Sequence, residues 1–352
     1  MTRPFKTMLP WAMVALVLLG LGLWRHTRPE EPRLKVWGQP GKPGRYETRF
    51  SPMGTDARLV VRAESTEDAR QMLRPAVEAV RRVERLMSAY RPDSEVTRLN
   101  EHASDHPVAV SPETLEVLRK AVEMSRLTGG AFDVTCAPLR ALWRRAAERG
   151  EPPSEQELEA TLQKVGSQKL AIQDGRVRFM EPGMKIDLGG IAKGYAIDAA
   201  IEAMRHEGAS AALVDIGGDL RLLGRPGPDR PWRIQVRPVE GMEGDLVLAL
   251  PACAVTTSGD YARGLRIGER WFSHIIDPRT GRPVASVPSA TVVVRDATTA
   301  DALATAISVL GPREGVALVN SLPETECLVL SRREDGSLER HPSSGYDRYV
   351  SD

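Results

Sequence analysis

Cysteine is scarce in this chain. Its 352 residues hold three, Cys136, Cys253 and Cys327, far apart and without a CxxC pair. That spacing argues against a disulfide framework and against a zinc site. A surplus of one charge is also missing, because 48 Lys and Arg face 47 Asp and Glu. No basic excess is left to recruit nucleic acid. Both standard phosphate cradles are absent, the dinucleotide fingerprint GxGxxG and the Walker GxxxxGK[ST]. There is no fixed-period repeat. Nor is there a regular βα alternation, and this points to an α+β fold rather than a doubly wound one.

The N-terminus is apolar from Met8 to Trp24, between Arg3 and Lys6 on one side and Arg25, His26 and Arg28 on the other. Such a helix spans roughly 25 Å, a little short of a hydrocarbon core of roughly 30 Å. Trp11 and Trp24 sit where interfacial aromatics anchor a span. No A-x-A-like exit follows Leu23, and no cysteine lies near residue 25 for a lipid. An uncleaved anchor over residues 1–25 is therefore expected rather than a signal peptide. Positive charge on both flanks leaves the orientation unset by charge, and N-in, C-out is the default. Residues 26–46 carry Pro29, Pro32, Pro40, Pro43, Gly38, Gly41 and Gly44, the composition of a linker. One globular domain is expected over 47–352.

Within that domain, Arg58–Arg62 reads as a strand. In Thr66–Leu86 the apolar residues from Ala69 to Leu86 fall on one helical face. A second helix is expected over 112–127. A polar helical stretch at 143–165, around Pro152-Pro153, reads as a surface insertion, and 170–180 as a hairpin around Asp174-Gly175. Helix 196–206 precedes a buried strand at 211–216. Strands follow at 232–237, 246–250, 271–276 and 290–295, then a helix at 301–310 and a strand at 327–330.

Four turns set an acid beside glycine: Gly129-Gly130 with Asp133, Asp187 with Gly189-Gly190, Gly217-Gly218 with Asp219, and Gly259 with Asp260. Each alone is an ordinary turn, but turns do not require the acid. The second lies in KIDLGGIAKGYAID (Lys185–Asp198), where glycines allow close backbone approach and the amides of a helix start attract anions. Asp301, Thr305 and Ser308 lie at i, i+4 and i+7, on one face of a helix otherwise built of small and apolar residues. Two readings of that face stand side by side. Thr305 could bond to its own backbone in a half-buried helix, or the short oxygens could serve a hard cation such as Mg²⁺. His274, before Ile275-Ile276-Asp277-Pro278, could be a hydrogen-bonded core histidine or a proton carrier.

Together these segments resemble the ApbE family of FAD:protein FMN transferases. They run in order from Met53-Gly54-Thr55 through MSAYRPDSEVTRLN (Met87–Asn100), GGAFDVTCAPL, KIDLGGIAKGYAID and DIGGDLRLLG, to TTSGDYAR, HIIDPRTGRP and ADALATAISVLG. The resemblance implies an ApbE-like, T-fold-related arrangement of mixed sheet and helices. It implies Mg²⁺-dependent cleavage of FAD, release of AMP, and a phosphoester link from FMN to a threonine or serine of a partner protein. By the same matching the metal positions would be Asp301, Thr305 and the carbonyl of Gly190. FAD would be held by Met53, Tyr90, Ala131, Phe132, Asp133, Asp187, Lys193 and Ile276. His274 and Asp301 would be the catalytic pair, Lys193 a diphosphate contact, and Asp187 an acceptor from base or ribose.

Ala304 departs from relatives that carry a second acid before the metal threonine. The anchor departs from relatives that are lipoproteins. The implied acceptor is a membrane redox protein with a DGxTGAT-like segment. This chain lacks that segment, so self-modification there is not expected. Membrane lipid is an expected partner through the anchor, with the enzyme on the bacterial inner membrane facing the periplasm or cell exterior. An FAD pyrophosphatase yielding FMN and AMP, or a non-catalytic FAD-binding protein, are the alternatives.

Overall fold

Capping side chains set the helix boundaries. Ser65 accepts from the Asp68 amide at 3.2 Å and starts α1, Thr66–Met87. Ser94 caps α2, Glu95–His102. Ser111, with Pro112 behind it, caps α3, Pro112–Leu127. Helix α4, Ala137–Arg149, ends at Gly150 in the left-handed region. After Pro152-Pro153, a Ser154–Glu157 capping box opens α5, Glu155–Leu162. Helices α6, Ala192–His206, and α7, Ala297–Asn320, complete the set. Helix α7 is broken at Gly311 (φ 75°), and Pro312 behind it has no amide to continue the ladder.

The structure is a computed structural model describing residues 33–37, 43–227, 229–242, 244–259, 264–284 and 287–351. The expected anchor lies outside the described residues, as do Asp260–Arg263 of TTSGDYAR. Nine strands form the main sheet: β1 Arg33–Trp37, β2 Gly44–Phe50, β3 Ala57–Ala63, β4 Ala212–Ile216, β5 Asp219–Leu223, β6 Ala254–Ser258, β7 Ser289–Val294, β8 Glu326–Arg332 and β9 Leu338–Pro342. Their order in the sheet is their order in the chain. Every pairing with a described register is antiparallel. The expected α+β mixture of sheet and helices is found, with the main sheet antiparallel at those pairings. The linker expectation also needs correcting: β1 and the start of β2 fall inside 26–46, since glycine and proline between strands do not prevent backbone pairing at an edge.

Strand alternation feeds two cores. In β3, Leu59 and Val61 point into the main core with α1, α6 and α7, while Val60 joins the opposite one. In β7, Ala290 and Val292 take the first side and Val293 the second. A three-stranded sheet, Trp232–Gln235, Val247–Leu250 and Val350–Ser351, contributes to that second core. Both faces are covered, so these strands read as continuous apolar runs.

The stretch 143–165 is not a mere surface insertion. Leu139, Leu142, Trp143 and Leu158 form a third core with Ile267 and Ile276, beside the hairpin Gly264–Ile267 and Arg270–Ser273. Its exposed charges hid a buried helical stripe. Helix α7 is long and apolar enough to cross a membrane by length and composition. Here it is a core helix, with Ala300, Leu303, Ala304 and Ile307 fully buried.

Candidate active site

The site begins where α6 and α7 cap each other. Asp198, the last residue of KIDLGGIAKGYAID, accepts from the amides of Ala297 (2.9 Å) and Thr298 (2.8 Å) and from the Thr298 hydroxyl (2.5 Å). Arg221 Nη1 donates to the same carboxylate at 3.0 Å. Burial pushes the Asp198 carboxyl upward in pKa, and Arg221 opposes that. In return, Asp301 of α7 accepts from the Gly194 amide at 3.1 Å, one of the amides that the first turn of α6 leaves without a partner. Glycine is required there: a Cβ at Gly194 would lie 2.1 Å from the Ala297 carbonyl oxygen.

Asp301 is 4% exposed. Its Oδ1 accepts from Lys193 Nζ at 3.1 Å while Oδ2 takes the Gly194 amide. Lys193 also donates to Asp219, at the head of β5. Burial pushes the Asp219 carboxyl up to about 6, although Lys193 pulls it down and Asp301 pushes it further up. For Lys193, burial favours the neutral amine, but the two carboxylates outweigh it and raise its pKa.

One turn past Asp301, Thr305 comes against Gly190. A Cβ built on Gly190 would lie 3.2 Å from Thr305 Oγ1 and 3.3 Å from Phe132 Cε2. Among the described residues, nothing hydrogen-bonds the Thr305 hydroxyl. Ser308, on the same face, donates to the Ala304 carbonyl at 2.9 Å and is wholly buried. The Gly190 carbonyl likewise has no described backbone donor; the Gly194 amide, four residues on, goes to Asp301 instead.

The seam therefore gathers a carboxylate with lone pairs to spare, an unpartnered hydroxyl and an uncommitted carbonyl. All three are hard oxygen donors, and few in number. That set fits Mg²⁺, which keeps waters and substrate phosphate in its shell. Among the described residues no three of His, Cys, Asp and Glu cluster so as to hold a metal ion, so any site here draws on a single carboxylate with hydroxyl and carbonyl oxygens.

The other expected residues arrive by a chain of contacts. The Asp187 amide donates to the Val134 carbonyl at 2.8 Å, tying KIDLGG to GGAFDV. Asn100 brackets Ile186 from both sides, Oδ1 to its amide at 2.7 Å and Nδ2 to its carbonyl at 2.9 Å. The Asp187 carboxylate is engaged by Arg140 and by the Gly189 amide (2.8 Å). Ala131 and Phe132 are buried. Asp133 is spent on the protein: it accepts from Ser125 Oγ (3.2 Å), Thr135 N (2.8 Å), Thr135 Oγ1 (2.6 Å) and Ser167 N (2.8 Å). A Cβ on Gly130 would lie 3.5 Å from Arg279 Cγ, so the GGAFD and DPRTG loops adjoin. Beside them is a hollow of about 450 Å³ lined in part by Gly129, Gly130 and Arg279.

Met53 and Tyr90 both lie near the C-terminal end of α1. The Met53 amide donates to Glu84 Oε1 at 2.7 Å, and Tyr90 lies just past the Ser88 cap, 84% exposed. Thr55 approaches Gly217, whose amide donates to the Asp56 carbonyl at 2.9 Å. His274 is half-buried at the end of strand Arg270–Ser273, and Ile276 is buried in the third core.

The structure thus brings Gly190, Phe132 and Thr305 into one group and Lys193 with Asp301 into the next. Asp187 is bonded to its own turn, and Ile276 belongs to a separate packing cluster. Asp198, Asp219, Arg140 and Asn100 had no assigned role in the sequence. The first two were visible as the acids within two of the motifs. Arg140, one arginine on a charged helix, gave no signal.

Comparison with known proteins returns one family. The family model described as "ApbE family" matches residues 53–329. A FAD:protein FMN transferase of Vibrio cholerae is 36% identical over 272 residues, which cover 75% of this chain and 80% of that protein. A solved flavin transferase structure from Vibrio cholerae superposes with a TM-score of 0.75 at 30% identity, covering 91% of this chain and 100% of that one. A Thermotoga maritima structure from the same family superposes with a TM-score of 0.77 at 34% identity, covering 88% and 100%.

Proposed function

This chain belongs to the ApbE family, and from that membership we propose that it transfers FMN from FAD to a threonine or serine hydroxyl of a partner protein. It is a transferase, and FAD is its flavin donor. The acceptor oxygen attacks the phosphorus of the FMN half, the bond from that phosphorus to the AMP oxygen breaks, and AMP leaves as the hydroxyl gives up its proton.

Asp301, Thr305 and the Gly190 carbonyl are the proposed ligands of Mg²⁺. When bound, the ion would offset the diphosphate charge and orient it for in-line attack. The observation that carries this reading is the Thr305 hydroxyl, unpartnered one turn from a buried carboxylate and 3.2 Å from a Cβ position on Gly190. Lys193 adds positive charge at the same edge. Phe132 is against Gly190, and the exposed ring of Tyr90 offers a face for flavin or adenine. Met53, Ala131, Asp187 and Ile276 complete the proposed FAD contacts, with Asp133 fixing the loop that carries Phe132. His274 is the proposed proton acceptor.

The acceptor is proposed to be a membrane redox protein with a DGxTGAT-like segment. Residues 1–25 are proposed to anchor the enzyme to the bacterial inner membrane with this domain on the periplasmic side. Incubating the full chain in detergent with FAD, Mg²⁺ and such a peptide should yield AMP and a fluorescent peptide heavier by FMN. AMP without conjugate would make it a hydrolase of FAD, and neither product would make it a binding protein.

A further inference from the structure

Lys193 poses a problem for a cation at Asp301, because its ammonium already occupies that carboxylate. The same ammonium is held from its other side by Asp219. Both acids are 4% exposed, and Lys193 is the one cation paired with either among the described residues. Asp219 is fixed by the turn Gly217-Gly218, with φ 66° and 97°, which joins β4 to β5. A Cβ at Gly217 would lie 2.8 Å from Thr55 Oγ1, so this turn has little room to shift.

We propose that Asp219 is a positioning residue for the metal site: it retains Lys193 when a divalent cation takes Asp301, so that the lysine yields the carboxylate without leaving the site. The inference rests on the reading of Asp301 as a ligand. Its logic is charge balance. Two carboxylates and one ammonium sum to one negative charge, and a divalent ion turns that into one positive charge. Without Asp219, the ion would face a neutral Lys193–Asp301 pair and would have to break it. Without Lys193, the ion would meet two uncompensated carboxylates. The two single substitutions must therefore act on ion affinity in opposite directions, and the double substitution restores the original charge.

The test is titration of the full-length chain in detergent with MgCl₂ alone, read by calorimetry and by the rise in melting temperature. Asp219→Asn should weaken Mg²⁺ binding by about tenfold, the scale set by one unit charge several ångströms from a divalent ion at a water-like dielectric. Lys193→Met should tighten it, and the double variant should return to within about threefold of the parent. Asp219→Glu, which keeps the charge, should stay near the parent, and Asp219→Ala, which removes it, stands in should Asp219→Asn fail to fold. If Asp301→Ala abolishes Mg²⁺ binding while the Asp219 and Lys193 variants shift it in the same direction or not at all, the role of Asp219 is overturned. If Asp301→Ala leaves binding intact, the metal reading itself fails and takes this proposal with it.

Discussion

Two buried acids, each beside a glycine motif, behave differently in this molecule. Asp133 accepts four hydrogen bonds from three residues and closes the knot between the GGAFD loop and Ser167. Asp301 accepts two, and next to it stand a hydroxyl and a carbonyl that accept none among the described residues. Burial is nearly the same, 7% against 4% exposed. What separates them is spare acceptor capacity. A saturated carboxylate holds a fold together, whereas an unsaturated one beside unpartnered oxygens has room for a ligand.

Substitutions can break that contrast. The largest effect is expected from Asp301→Ala, which should cut AMP formation about a hundredfold or more. Its melting temperature should fall only modestly, since the Gly194 amide loses its acceptor but Lys193 keeps Asp219. A variant that loses stability but keeps turnover would place Asp301 with the structural acids. Asp133→Ala should show the reverse emphasis. Its orphaned donors predict a loss of about 3 kcal/mol in urea unfolding, and an unchanged midpoint would show that the knot is dispensable. Gly194→Ala tests the seam itself. A methyl 2.1 Å from the Ala297 carbonyl must push α6 and α7 apart, at a cost of about 2 to 3 kcal/mol in the same unfolding measurement. Asp198→Ala removes the non-local cap of α7 and should cost about 2 kcal/mol. The cysteines should give the smallest response. Burial pushes the thiols of Cys136, Cys253 and Cys327 up to about 12. Hardly any thiolate is then present at about pH 8, and iodoacetamide should leave the native chain unmodified for hours.

Much of this was legible in the sequence where the signal is local. Apolar spacing marked α1 almost to its ends, and the spacing of Asp301 and Thr305 put both on one helix face. The same spacing also offered Ser308, and nothing local reveals that its hydroxyl turns back to Ala304 while that of Thr305 does not. Helix α7 begins at Ala297, ahead of the expected start at Asp301. Two acids cap its first amides, and only one of them is local. Asp296 is next to the helix in the chain, whereas Asp198 sits on α6, 99 residues before Ala297. The linker reading failed because proline and glycine mark turns without saying whether the residues between them pair. Arg140 could not be singled out, since its partner Asp187 becomes a neighbour only once α4 has packed.

The most direct test of the account sets two hydroxyls of one helix against each other. Thr305→Ala and Ser308→Ala each remove one hydroxyl, about one turn apart on the same face, and both should fold. With FAD, Mg²⁺ and an acceptor peptide, Thr305→Ala should lose nearly all AMP release and conjugate formation, while Ser308→Ala should keep the parent rate within about threefold. Equal rates for the two variants, or a greater loss from Ser308→Ala, would contradict the assignment of the α6–α7 seam as the site of flavin transfer.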